Sequence, residues 1–425
     1  MARKMKDSGI EWIGEIPEEW EIKYFVQLFS QVKNKNIGLR EKNLLSLSYG
    51  KIKQKSIETV GGLLPDSFEG YNIIDRNDIV LRLTDLQNDQ HSLRVGLSHE
   101  RGIITSAYCS IRVRGAESPN YLYYYLHTFD VAKGFYGMGS GVRQGLNWDG
   151  LKYIKILLPP QHEQDRISVF LNQKTLEIDS MLSKTISSIE EYKKLKQSVI
   201  TQAVTKGVRG EREMKDSGVE WIGEIPEEWN KCKLKNISID IGDGLHGTPK
   251  FDDSGEVYFI NGNNFSSEYV EPKFDTKKLC LEESLNYPKP ELTEQTIMIS
   301  LNGSYGKVCL YRYFPMLLGK SAGYITLLPS INRRYVRYYL SSTPAQIIMT
   351  LSLNGTTIPN LSLNTLYNFP TVLPSASEQA EIADYLDAKC AEIDRLIAKK
   401  EQLVKELESY KKSLIYEVVT GKREV

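Results

Sequence analysis

Residues 5–20 read MKDSGIEWIGEIPEEW and residues 214–229 read MKDSGVEWIGEIPEEW, fifteen identities in sixteen positions. A second match stands 215 residues apart: LLPPQHEQDRISVFLNQKTLEIDSML from Leu157 and VLPSASEQAEIADYLDAKCAEIDRLI from Val372. It continues through KQSVITQAVT (196–205) and KKSLIYEVVT (411–420), and extends weakly backwards into GSGVRQGLNWDGLKYI (139–154) and NGTTIPNLSLNTLYNF (354–369). The chain is therefore two copies of one unit, and any fold open to it must be built twice.

Each copy closes on a helix. Between its LP motif and Gly207 or Gly421 lie about forty-five residues without proline or glycine, which at about 1.5 Å per residue span about 67 Å. Apolar residues recur at coiled-coil spacing in the first copy (Ile167, Leu171, Ile178, Leu182, Ile189, Leu195, Val199, Ala203). The second copy does the same (Ile382, Leu386, Ile393, Ile397, Val404, Leu407, Leu414, Val418). So narrow a stripe needs a partner helix, and the other copy supplies one. The expected fold is α+β, with two globular heads at opposite ends of an antiparallel two-helix coiled coil and an internal pseudo-two-fold. Its divisions are 1–158, the central helix 159–206, 207–373 and the C-terminal helix 374–425.

At 425 residues, more than one core is expected. No run reaches the length of a membrane span and MARKMKDSG carries no apolar stretch, so a cytoplasmic protein is expected. The five cysteines are scattered without a CxxC pair, as for free thiols in a reducing compartment. The net charge of zero conceals a segregation. Residues 21–156 carry +5, residues 230–371 carry +2, and the remainder carries −7. Two blocks that face a polyanion are consistent with that pattern.

Catalytic patterns are missing from the sequence: it has no Walker loop, GxSxG, HExxH or strand followed by GxGxxG. LPP at 158–160 lacks the flanking residues of an amino-methyltransferase motif. Binding patterns are present. GKIKQKS places Lys51, Lys53 and Lys55 on one face of a strand, either along a phosphate backbone or as a solvated edge. QVKNKNIGLR adds Lys33, Lys35 and Arg40 beside Asn34 and Asn36, and GSGVRQGLN adds Arg143. In the second copy the polar loops GDGLHGTPK (His246, Thr248, Lys250), NGNN (Asn263), LNGSYGK (Asn302, Ser304, Tyr305, Lys307) and NGTT (Thr356, Thr357) suit exposed reading loops or simple turns. The tyrosine clusters YLYYYL (121–126) and RYVRYYL (334–340) have helical spacing and read as core.

The order of head, LP-x(3)-EQ helix, head, LP-x(3)-EQ helix, with IGEIPEEW opening each head, resembles the specificity subunit of type I restriction–modification systems over essentially the whole chain. GDGLHGTP, NGSYGKV, GKSAGYI and NGTTIPNLSL carry the likeness in the second head; the first keeps echoes such as TSAY. The resemblance implies a non-catalytic DNA-binding subunit with a target recognition domain in each head, reading a bipartite site for phage defence. It implies two methyltransferase and two restriction subunits as partners, with S-adenosylmethionine, ATP and magnesium on those partners and no cofactor here. Trp12, Trp20, Trp221 and Trp229 would then dock identical partners or serve as packing wedges. The alternative is a two-headed coiled-coil scaffold for proteins, without DNA specificity.

Overall fold

A computed structural model describes residues 3–56, 65, 67–86, 89, 93–138, 145–353 and 359–425. Two compact units emerge, Met1–Ile186 with Gln402–Val425, and Ser187–Glu401, so each unit takes a part of both long helices. These helices are Gln161–Lys206 and Ala376–Val419. Each stops at a glycine in the left-handed region, Gly207 at φ 80° and Gly421 at φ 71°, a conformation glycine reaches without steric cost.

Within each unit the two helix segments run antiparallel. In the first, Tyr121 Oη donates to both Leu157 O and Val419 O, while Asp179 lies 2.6 Å from Lys411 Nζ. In the second, Lys196 Nζ lies 2.6 Å from Asp394 Oδ2, and Lys400 stands over the Tyr192 ring. The ion pairs are equivalent, because Asp394 and Lys411 follow Asp179 and Lys196 by 215 residues. Ile167, Leu171, Ile178, Ile382, Leu386, Ile393, Leu414 and Val418 are buried. Leu195, expected in the stripe, is 48% exposed, and Lys196 and Ile200 stand inward of it. A straight helix drifts about 20° per heptad against a strict seven-residue repeat, which carries such a position outward.

Both heads are built on one topology. The first has a four-stranded antiparallel sheet in the order Phe29–Gln31, Cys109–Val113, Ile79–Leu81, Val95–Leu97. The second repeats it as Ser238–Asp243, Ala322–Leu327, Thr296–Ser300, Val308–Leu310. Ile79–Leu81, Thr296–Ser300 and Ala322–Leu327 are buried at every residue, and the buried hydroxyls of Thr296 and Thr326 satisfy each other at 2.9 Å.

The quoted motifs are the joints of each unit. Trp20 Nε1 donates to Glu163 Oε2 at 2.9 Å, and Arg3 closes on the same carboxylate through two 2.7 Å bonds. Trp229 Nε1 donates to Glu378 Oε2 at 3.0 Å, with Arg212 ion-paired to Glu378 at 2.6 Å. The glutamine of each EQ receives a backbone N–H at the start of a head helix, from Ser118 or Asn332, and returns its own N–H to Pro159 O or Pro374 O. Tyr121 and Tyr125, like Tyr335 and Tyr339, donate to carbonyls of the strand that precedes each long helix. These tyrosines are core, as their spacing suggested.

Candidate nucleic-acid interface

In the second unit the strand register brings the polar loops to one edge. Asp243 pairs with Gly323 and Ser300 with Ala322, so the strand ends carrying these loops coincide. Val257–Ile260 and Met316–Leu318 run parallel and finish beside them, as three bonds donated by backbone N–H groups show. Gly319 N donates to Ile260 O, Gly262 N to Ser321 Oγ, and Leu245 N to Leu318 O. Leu361 N on Leu301 O adds the segment from Pro359 onward. One rim thus gathers GDGLHGTPK, NGNN, LNGSYGK and the end of NGTTIPN.

His246, Thr248, Lys250, Asn263, Ser304 and Lys307 are exposed along that rim, while Asn302 and Tyr305 are half-buried. A His246 ring nitrogen sits 2.7 Å from Asp243 Oδ2, and Tyr305 Oη 3.3 Å from Thr350 Oγ1. Of the NGNN asparagines, Asn261 and Asn264 are consumed by the turn, and Asn264 also donates to Thr276 Oγ1. Asn263 alone of the three is exposed. Gly303 and Gly306, at φ 68° and 73°, let the LNGSYGK loop reverse within six residues. Thr356 and Thr357, and Arg143 in the first head, lie outside the described residues.

The first head has the equivalent rim. Val32 N donates to Ser110 O where the strands end, and Leu146 N donates to Leu83 O as Leu361 does to Leu301. Lys33 is exposed there, Lys35 Nζ donates to Gly70 O and Arg40 Nε to Ile37 O. Asn36, expected beside them as a base-reading amide, is wholly buried and closes a ring with the backbone of Glu41. Lys51, Lys53 and Lys55 are exposed on a hairpin whose turn places Tyr49 and Gly50 at positive φ. Lys51 Nζ is ion-paired to Asp179 Oδ2 at 2.8 Å, so its face of the hairpin is turned to the long helices.

Sequence reasoning missed Arg94. This buried guanidinium donates to the carbonyls of Arg82, Thr84, Asp85 and Asp89 and to Tyr136 Oη, tying the loop after Leu81 into one shape. Its own N–H is accepted by Asp130, whose other carboxylate oxygen has no partner among the described residues. Burial pushes the Asp130 carboxyl up to about 6, against the opposing pull of Arg94. A folded value above the unfolded 3.8 means that the native state holds the proton more tightly. This contribution is therefore greatest below about 4 and is lost as pH rises toward 6. Asp130→Asn, whose amide oxygen still accepts from Arg94, is expected to flatten the stability curve of the first unit across that window. It should gain up to about 3 kcal/mol at neutral pH, read by denaturant unfolding.

Trp20 and Trp229, expected as docking residues, are completely buried on their glutamates, so neither offers a surface. Trp12 packs against Tyr125, Phe129 and Tyr416, whereas Trp221 is 45% exposed. Identical sequence thus meets different surroundings, since Thr201 and Thr343 stand where the first unit has Tyr416 and Phe129. Among the described residues no cluster of His, Cys, Asp or Glu could hold a metal, and no helix is long and apolar enough to cross a membrane.

Comparison with known proteins agrees with this architecture. The family model for the type I restriction modification DNA specificity domain matches residues 226–407. The type I restriction enzyme MjaVIII specificity subunit of Methanocaldococcus jannaschii is 26% identical, over 96% of this chain and 93% of its own. Two solved chains share the fold. One, from a study of complex assembly and conformational transition in the type I R-M system, superposes with a TM-score of 0.72 at 16% identity, covering 96% of this chain and 99% of that one. The HsdS subunit of Thermoanaerobacter tengcongensis superposes with a TM-score of 0.50 at 15% identity, covering 96% and 98%.

Proposed function

This chain belongs to the specificity subunits of type I restriction–modification systems, and from that membership we propose that the loop rim of each head reads one half of a bipartite DNA target. The observation that supports this most directly is the convergence of four separate polar loops on one rim of the second head, with the same strand order in the first. Shared topology with divergent loops suits two similar readers of two different half-sites. Lys33 and Lys307 carry charge suited to phosphates, and Asn263 and Ser304 carry the polar groups suited to base edges.

The subunit is non-catalytic and works inside a complex. In our reading two methyltransferase subunits dock on the paired copies, Trp221 contributing on the second, and two restriction subunits complete the assembly in the cytoplasm. S-adenosylmethionine, ATP and magnesium belong to those partners. The long helices, each shared between both units, set the spacer between half-sites.

Duplex binding followed by fluorescence anisotropy across a salt series tests the assignment. Affinity is expected to fall log-linearly with salt, and Lys250→Ala with Lys307→Ala is expected to reduce the slope by about one unit per lost phosphate contact. A salt-insensitive chain would fit the protein scaffold instead. An unchanged slope in the variants would remove these two lysines from the interface.

A further inference from the structure

In the first unit a cavity of about 550 Å³ lies between the Leu45–Gln54 hairpin, the head helix Pro119–Val131 and the two long helices. His127 lines it, and its Nδ1 is sealed from solvent without any hydrogen-bond partner. Buried polar atoms are rarely left so, and each exception asks for a cause.

The fold does not require this histidine. The tyrosine pairs Tyr121/Tyr125 and Tyr335/Tyr339 do the same work on equivalent helices, which places Ser341 where the first copy has His127. The Ser341 hydroxyl is satisfied within its own helix by Arg337 O at 2.8 Å. Among the described residues the first copy therefore places an imidazole with an unsatisfied ring nitrogen in the wall of a cavity, where the second has a satisfied hydroxyl.

The charges of the wall indicate what the cavity would hold. Lys51, Lys53 and Lys411 face the space with one carboxylate, Asp179, which Lys51 and Lys411 already bracket at 2.8 and 2.6 Å. Lys53 has neither a hydrogen bond nor an ion pair among the described residues, and the lining carries an excess of positive charge. The remaining wall includes Ile52, Leu93, Leu97 and Ile415. The volume falls within the range of about 300–1,000 Å³ typical of small-molecule sites. We propose that this cavity binds a small organic anion with an aromatic or aliphatic body, its acidic group held by Lys53 and its body packed beside the His127 ring. Burial, with Lys411 and Lys412 nearby, drives the His127 pKa down to about 4, so the imidazole takes part as a neutral group. A bound anion would fasten the hairpin to both long helices and so bias the posture of the first reading head.

Fluorescence titration of the full chain with anilinonaphthalenesulfonate, an aromatic sulfonate of suitable size, tests this. The variants are His127→Ser, which installs the side chain the second copy uses, and Lys53→Glu, which reverses a charge at an exposed strand position. One saturable site is expected, weakened about tenfold by either substitution while circular dichroism stays unchanged. The absence of a saturable site, or equal affinity in wild type and both variants, overturns the proposal. Displacement of the probe by a short duplex also overturns it, and would assign these lysines to DNA.

Discussion

Glu378→Ala is expected to destabilise the second unit by about 3–5 kcal/mol, because removing one member of a buried ion pair strands the others. Glu378 is 1% exposed and serves Trp229 Nε1 and Arg212 at once. Truncation leaves an indole N–H without its acceptor and a guanidinium over the indole ring without its counter-charge. Glu378→Gln separates the two losses, since its amide oxygen can still accept from Trp229 while Arg212 loses its anion. A smaller effect, about half, is expected. Glu163→Ala makes the same cut in the first unit, where Trp20 and Arg3 depend on it. With two units a single unfolding transition is not assured, so calorimetry should resolve which one moves. Each alanine variant should lower its own unit's transition. Loss from both transitions alike, or from neither, would mean that the clamp is not what joins the repeat to its long helix.

The clamp also marks where sequence reasoning stops. The two near-identical segments told that their surroundings are alike, but not whether those surroundings are the chain itself or another subunit. Trp20 and Trp229 prove internal, and Trp221 is the exposed exception, with Thr201 and Thr343 at the sequence positions that Tyr416 and Phe129 hold in the first copy. The long helices were legible because proline and glycine bound them and an apolar period runs through them. Leu195 escaped because a periodic rule cannot see a helix drifting off its own repeat. The rim of the second head was legible as separate loops only; its convergence depends on strand order, which no local pattern encodes. Arg94 and Asp130 left no trace at all, since a lone arginine and a lone aspartate become partners only when a 36-residue separation closes.

A fragment of residues 1–212 is expected to form a symmetric dimer, because the helix Gln161–Lys206 contains both halves of its own pairing code. In the full chain Asp179 meets Lys411 and Lys196 meets Asp394. Lys411 is the counterpart of Lys196, and Asp394 of Asp179, so two fragments can make both ion pairs reciprocally. The apolar contacts follow the same rule: Leu414, Ile415, Val418 and Val419 would be replaced by Val199, Ile200, Ala203 and Val204 of the second copy. Each buried Leu or Ile is worth about 1.5–3 kcal/mol, so leaving Ile167, Leu171 and Ile178 in water is far costlier than the smaller replacements. Two differences weaken the substitute. Thr201 stands in for Tyr416, which loses the ring contact on Trp12, and Lys174 remains engaged with Glu177 on its own helix. Sedimentation should therefore show a reversible dimer, and with methyltransferase present it should modify a palindrome built from the first half-site alone. Asp179→Lys should reduce the fragment to monomers, and adding Lys196→Asp should restore the dimer by exchanging the charges. A monomeric wild-type fragment, or a dimer indifferent to both substitutions, would refute self-pairing of the two copies through equivalent helices.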